Sequence, residues 1–254
     1  MMKMLTIGLN VFREAIRDRI LYNLLFFAMM MIACAALLST LTVGERTKII
    51  IDIGMASINF FGVLIAIFLG ISLVSKEIDK RTIYTILSKP VSRPQFLLGK
   101  YLGLSITLLV NTIIMTGVFS VTLWYVGERF SANIFMPIGM IYLELMVMTA
   151  VGLFFSTFTT VTSSAIFTIA VYVIGHLSGD LREMAKRVPE VSKIILDFIY
   201  YLLPNLENFN FKGYASYMNS VPYPLLGFSM LYGIIYIFFL LGFSILIFNS
   251  REFK

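Results

Sequence analysis

Ser75-Lys76-Glu77-Ile78-Asp79-Lys80-Arg81-Thr82-Ile83-Tyr84-Thr85-Ile86-Leu87-Ser88-Lys89-Pro90-Val91-Ser92-Arg93-Pro94-Gln95-Phe96-Leu97-Leu98-Gly99-Lys100 is a densely charged stretch flanked on each side by an uncharged apolar run. It holds six of the chain's twenty Lys and Arg residues, with Glu77 and Asp79 as its only acids. Such a stretch is a short loop between two membrane spans, and its basic excess places it in the cytoplasm. The loop carries helix signals of its own. Ile83, Ile86 and Leu87 share one face of a short helix that Pro90 must end, with Lys89 in the favourable last turn. Ser92-Arg93-Pro94-Gln95 reads as a capping box that starts a second helix. Pro94 fits its first turn, and Val91 and Phe96 are placed as a hydrophobic staple. Two short helices meeting at an elbow make a compact knob that a partner can push. The alternative is a loop whose charges only set topology.

Working outward, the chain has 254 residues, 59% hydrophobic and 13% charged, which excludes a soluble domain and predicts an all-α polytopic membrane protein. The formal charge of +6 lies in segments that flank the spans, so anionic lipid headgroups explain it and a nucleic-acid partner is not expected. Cys34 is the only cysteine and sits in an apolar run, which leaves no disulfide framework, metal cluster or redox motif. Residues 3–19 read as an amphipathic helix on the membrane surface, with Leu5, Leu9, Phe12 and Ile16 opposite Asn10, Arg13, Glu14 and Arg17. A polar segment of this kind ahead of a full-length span is not the pattern of a cleavable signal peptide.

Six spans are predicted, at 20–43, 53–75, 101–127, 134–155, 163–178 and 225–249. The second is rich in small residues (Gly54, Ala56, Ser57, Gly62, Ala66, Gly70), which permits close helix approach. Residues 134–178 are too long for one crossing, since ~1.5 Å per residue gives roughly 67 Å against a hydrocarbon core of ~30 Å. The hydroxyl-rich run from Ser156 to Ser164 is the natural hairpin. Residues 179–224 form the external loop, with a helix between Pro189 and Pro204 and plain loop from Pro204 to Asn210. Twelve Lys and Arg then fall inside and eight outside, five of these in the longest loop, so both termini are expected in the cytoplasm.

Glu144 is the only carboxylate within a predicted span, and Asn111 is the notable amide. A central ionisable group costs ~2.5–3.5 kcal/mol on insertion scales, so Glu144 is expected to face the bundle or a wet cavity. Two roles stay open for it, a structural pairing and a place on a transport path with Asn111. His176, the single histidine, reads as interfacial packing near the outer end of the fifth span. No Gly-x-x-x-x-Gly-Lys-[Ser/Thr] occurs, because Gly99-Lys100 lacks the earlier glycine and is followed by Tyr101. Gly175-His176-Leu177-Ser178-Gly179 has the wrong spacing for a nucleophile elbow, and no second histidine exists to act as base. The chain is therefore not expected to be an enzyme or to bind a cofactor itself.

The charged exit from a span, then Glu77, Thr82, Pro90, Ser92, Arg93 and Leu97-Leu98-Gly99-Lys100, resembles the first cytoplasmic loop of ABC type-2 transporter permeases. The Lys-Pro-Val-Ser-Arg version is similar to permeases described as acting in multicopper enzyme maturation. Arg81 stands where many relatives carry glycine before the threonine. The resemblance implies a permease subunit, an exporter in a prokaryotic cytoplasmic membrane, paired with a second copy or a related permease. ATP would act through a separate ATPase subunit that pushes on the loop at Glu77, Lys80, Arg81, Thr82, Ile83, Ile86, Leu87, Pro90, Ser92 and Arg93. Two other readings remain at this level: a proton-coupled secondary transporter that uses Glu144, and a non-transporting assembly scaffold.

Overall fold

A computed structural model describes residues 2–40, 46–79, 92–127, 134–187, 189–217 and 221–250. These residues are helix and turn, with no strand among them. Ten α-helices follow in order among them: α1 (Met2–Ile16), α2 (Arg19–Thr40), α3 (Arg46–Asp79), α4 (Arg93–Tyr125), α5 (Phe135–Ser156), α6 (Val161–His176), α7 (Ser178–Ala185), α8 (Glu190–Leu202), α9 (Lys212–Ser216) and α10 (Tyr223–Ser250). A 3-10 turn, Leu206–Phe209, lies between α8 and α9. Among the described residues, five helices are long and apolar enough to cross a membrane, and six if the pair α6 and α7, bent by 63°, counts as one. The protein is an all-α polytopic membrane protein.

Helices α3 and α5 form the centre of the bundle. In their apolar windows 72% of residues are buried, against 28% in α2 and 33% in α10, which lie at the periphery. The polar groups of the spans are mostly satisfied within their own helix. Ser57, Ser105, Thr107, Thr149, Thr168 and Ser244 each donate to the carbonyl four residues back, at 2.7–2.9 Å. Bonds of this kind let a hydroxyl sit in an apolar bundle without a partner from another helix.

Two helices overrun the spans read from sequence. At ~1.5 Å per residue, the 34 residues of α3 and the 33 of α4 each reach roughly 50 Å, well beyond a core of ~30 Å. The capped helix at Ser92 is therefore not a short separate piece. It runs on without a break into the span, because Leu97 to Tyr101 contains no proline and its one glycine, Gly99, is packed against α1. Lys100, counted in the sequence as a loop charge, is inside α4 and 1% exposed, with Nζ 5.1 Å from the Phe96 ring centroid.

The N-terminal helix is docked on α4 through glycines. A Cβ at Gly103 would lie 2.5 Å from the Gly8 carbonyl oxygen, and one at Gly99 would lie 2.8 Å from Ile7. Gly99 and Gly103 are four residues apart, so they share one face and let the two backbones touch. Val11 and Ala15 continue this buried seam, while Leu5 and Leu9 point away from it and are exposed.

The segment after α8 departs from its reading as plain external loop. Leu206 and Phe209 are fully buried. Leu206 fills the space beside Gly175, where a Cβ would be 2.7 Å away, and Phe209 does the same at Gly233, at 2.9 Å. The hydrophobic residues of this 3-10 turn have thus been drawn against the end of α6 and the first half of α10, forming a wedge. The fifth predicted span also ends differently, since α6 stops at His176 and residue 178 begins α7.

Candidate functional site

Two places collect the sequence-derived candidates. The first is the base of the charged stretch. Glu77 falls in the last turns of α3. Lys80, Arg81, Thr82, Ile83, Ile86, Leu87 and Pro90, and with them the first short helix, lie outside the described residues. Ser92 is the N-cap of α4, with φ −75° and ψ 150°, and its backbone N–H donates to Gln95 Oε1 at 3.3 Å. The Phe96 N–H donates to the Ser92 carbonyl at 3.1 Å, closing the first turn.

Arg93 turns back onto the last helix. Its Nη1 donates to the carbonyls of Phe248 at 2.9 Å and Asn249 at 3.0 Å, two acceptors at the open C-terminal end of α10. A guanidinium there satisfies carbonyls that have no partner in the helix and lies at the negative end of its dipole. Directly beneath, the rings of Phe96 and Phe248 stack with centroids 6.2 Å apart and planes 15° from parallel. The root of the charged stretch is thereby fastened to the final span, a contact across 155 positions that no local pattern reveals.

The second place is a buried polar cluster where α3, α5 and α6 meet. Glu144 is 1% exposed, and its Oε2 accepts from Asn59 Nδ2 at 2.8 Å. The Asn59 Oδ1 accepts in turn from the Tyr172 hydroxyl at 2.9 Å. His176 Nε2 is 3.5 Å from Glu144 Oε1, and His176 Nδ1 is 3.1 Å from the Tyr172 carbonyl oxygen one turn back. The Tyr172 and His176 rings are 4.5 Å apart. His176 is thus more than interfacial packing, since its imidazole faces the buried carboxylate of Glu144. Asn111 is not part of this cluster. It donates to the Thr107 carbonyl of its own helix at 3.0 Å and is buried on α4.

The wedge closes over the cluster. Glu207 in the 3-10 turn and Lys212 at the start of α9 both act electrostatically on Glu144 and on His176. Burial pushes the Lys212 amine down from its ordinary value, while Glu144 and Glu207 pull it the other way. Three sets of polar contacts pin the wedge. Asn205 Oδ1 accepts from Ser178 Oγ at 2.6 Å, and the Asn205 N–H donates to the Tyr232 hydroxyl at 2.9 Å. Ser216 Oγ bonds Asp52, and Lys48 Nζ bonds the Tyr217 hydroxyl at 3.1 Å.

Sequence reasoning singled out Glu144 by its charge but missed Asn59 and Tyr172. An amide in a span that already holds many small polar residues gives little signal. Tyr172 reads as an ordinary aromatic until its neighbour one turn on, His176, is seen to share its environment.

An apolar groove of about 700 Å³ lies apart from both places, between α4, α5 and α10, with Leu98, Met140, Met146, Met230, Ile234 and Leu241 in its walls. Tyr101 and Tyr142 also line it, and their hydroxyls donate to the carbonyls of Met146 at 3.4 Å and Ser105 at 3.1 Å. The wall is therefore apolar even where tyrosines contribute.

Compared with models of protein families, residues 5–253 match the one described as ABC-2 family transporter protein. A search of curated proteins finds no match.

Proposed function

The chain belongs to the ABC-2 transporter family, whose members are membrane components of ABC transporters, and from that premise we propose that it exports its substrate under the drive of a separate ATPase subunit. Two such subunits, identical or related, would pair in a cell membrane with their termini and residues 76–100 in the cytoplasm. The ATPase would bind at residues 76–93 and push on them as it hydrolyses ATP. Family membership favours this over the proton-coupled secondary transporter and the assembly scaffold. The Glu144 cluster then lies on or beside the substrate path, while Asn111, bonded within its own helix, is a packing residue.

The grip of Arg93 on the end of α10 is the observation that carries the coupling reading. A loop that only set topology would need its charges but no such anchor. With the anchor, a displacement of the loop reaches α3, α4 and α10 together, because the first two are continuous with it and the third is held by the guanidinium.

The test separates shape from charge. Ion pairs at a solvated surface contribute only ~0–1 kcal/mol each, so loss of shape should outweigh loss of charge in transmission. A Pro90→Gly, Ser92→Ala, Pro94→Gly variant should insert and still recover the ATPase in mild detergent, yet lose substrate-stimulated ATP hydrolysis and transport. Lys80→Glu should instead reduce recovery of the ATPase in a salt-dependent way. Normal transport by the loosened variant would reduce the loop to a topology signal.

A further inference from the structure

Glu144 and His176 face each other with more unfilled valence than a packing contact needs. Neither Glu144 Oε1 nor His176 Nε2 has a hydrogen-bond partner, and both atoms are buried. The tautomer is decided one atom away. The Tyr172 carbonyl, 3.1 Å from His176 Nδ1, can only accept, so Nδ1 carries a hydrogen whatever the charge of the ring. In the neutral ring Nε2 is then a bare lone pair. It points at Oε1 of a carboxyl group across 3.5 Å. An ionised carboxylate and a bare imidazole nitrogen are two acceptors with nothing between them. One hydrogen, on either atom, turns this opposed pair into a hydrogen bond.

We infer that Glu144 and His176 form a binding site for a single proton, and that this proton ties α5 to the outer end of α6 beneath the wedge. The other carboxylate oxygen is already occupied by Asn59, so the proton has one place to go. A metal ion fits less well, because among the described residues no group of three or more His, Cys, Asp and Glu side chains comes together. The groups that face the pair are few. Asn59 reaches it from α3 and is uncharged; Tyr172 lies on α6 and gives its hydroxyl to Asn59. Glu207 approaches from the 3-10 turn and Lys212 from α9, with charges of opposite sign, Lys212 having the larger influence on both members of the pair. The sign follows from the geometry. The proton is bound when the pair is closed, so closure is present at low pH and is lost as pH rises through the titration of the pair. Leu206 of the wedge packs against Gly175, the residue before His176, so opening the pair loosens the seat of the wedge. A role for this step in the transport cycle rests on the permease reading; the proton site does not.

His176 is the chain's only histidine, so ¹⁵N-histidine labelling of the full-length protein in nanodiscs, with a histidine-free tag, gives one imidazole to follow by NMR. The expected result is an Nδ1 that stays protonated throughout and an Nε2 that changes from hydrogen-bonded to bare as pH rises. In Glu144→Gln the amide can donate to Nε2 and holds the ring neutral, so the transition should fall by about one pH unit or more. Asn59→Ala leaves both partners in place but removes a bond to the charged carboxylate, so the transition should rise. This second variant keeps the test decisive if Glu144→Gln folds poorly. A bare Nδ1 with a protonated Nε2 would overturn the site. So would a titration that neither substitution moves.

Discussion

At the residue scale, Glu144 shows what a sequence can and cannot disclose. Its charge inside an apolar run marks it at once, whereas its partners Asn59 and His176 sit on two other helices, the first 85 positions away and beyond the reach of any local pattern. The bond from Asn59 is the one that keeps Oε2 satisfied, and a buried acceptor left without its donor costs about 1–3 kcal/mol. Asn59→Ala should therefore lower the thermal unfolding midpoint in detergent clearly. Tyr172→Phe, which removes only one interhelical bond of a kind averaging ~0.6 kcal/mol, should lower it slightly. Equal effects would mean that Asn59 is held by packing and not by the carboxylate. Glu144→Gln keeps the shape and should assemble, while Glu144→Leu leaves Asn59 with a donor and no acceptor and should impair accumulation in the membrane. A Leu variant that accumulates and transports normally would deny Glu144 both a structural and a transport role.

At the element scale, the span pattern was legible because hydrophobic runs of this length have one physical meaning, and so was the all-α class. Element ends were less so. Apolarity falls off where the bilayer stops, but helix α3 continues past it because Arg46 to Asp52 and Ser75 to Asp79 contain no helix breaker. The wedge escaped for the opposite reason. Prolines and asparagines around Leu206 and Phe209 read as exposed loop, and the two glycines that receive them sit on other helices. The glycine seam of α1 and α4 gives a clean test of such close contacts. Gly103→Leu has no room and should cost about 1–3 kcal/mol as overpacking, seen as a lower unfolding midpoint and looser α1. Gly117→Leu on the same helix meets nothing within 4 Å and should behave as the parent. Similar losses from both would mean that α1 is not seated there.

At the scale of the whole molecule, the apolar outer faces of α2 and α10 remain for lipid or for a second copy, and the two roots of the charged stretch, at Glu77 and Ser92, stand at one end of the bundle with the wedge at the other. In intact cells, after replacement of Cys34, a cysteine at Glu183 should label from outside and one at Ser88 should be protected. The reverse pattern would invert the molecule in its membrane. The two ends are linked through α10, which Arg93 grips at its last turn and which Phe209 of the wedge meets at Tyr232 and Gly233, in its first half. Arg93→Lys keeps the charge, but both bonds come from Nη1, and the shorter lysine stem carries its ammonium less far toward the two carbonyls. It should leave ATPase recovery unchanged and reduce substrate-stimulated hydrolysis. Undiminished stimulation would show that α10 does not need to be held.

The same grip has a consequence for synthesis. Residue 93 leaves the ribosome long before residues 248 and 249 exist, and at about 5–20 residues per second the intervening 155 take on the order of ten seconds or more. Throughout that interval the helix entrance at Ser92 has no final partner. A chain stopped before its last span would present that end of the bundle unfinished, and a newly made subunit would answer to an ATPase only once translation is complete. Pulse-labelled chains truncated at residue 222 should accordingly insert and still recover the ATPase, yet show none of the substrate-stimulated hydrolysis of full-length chains.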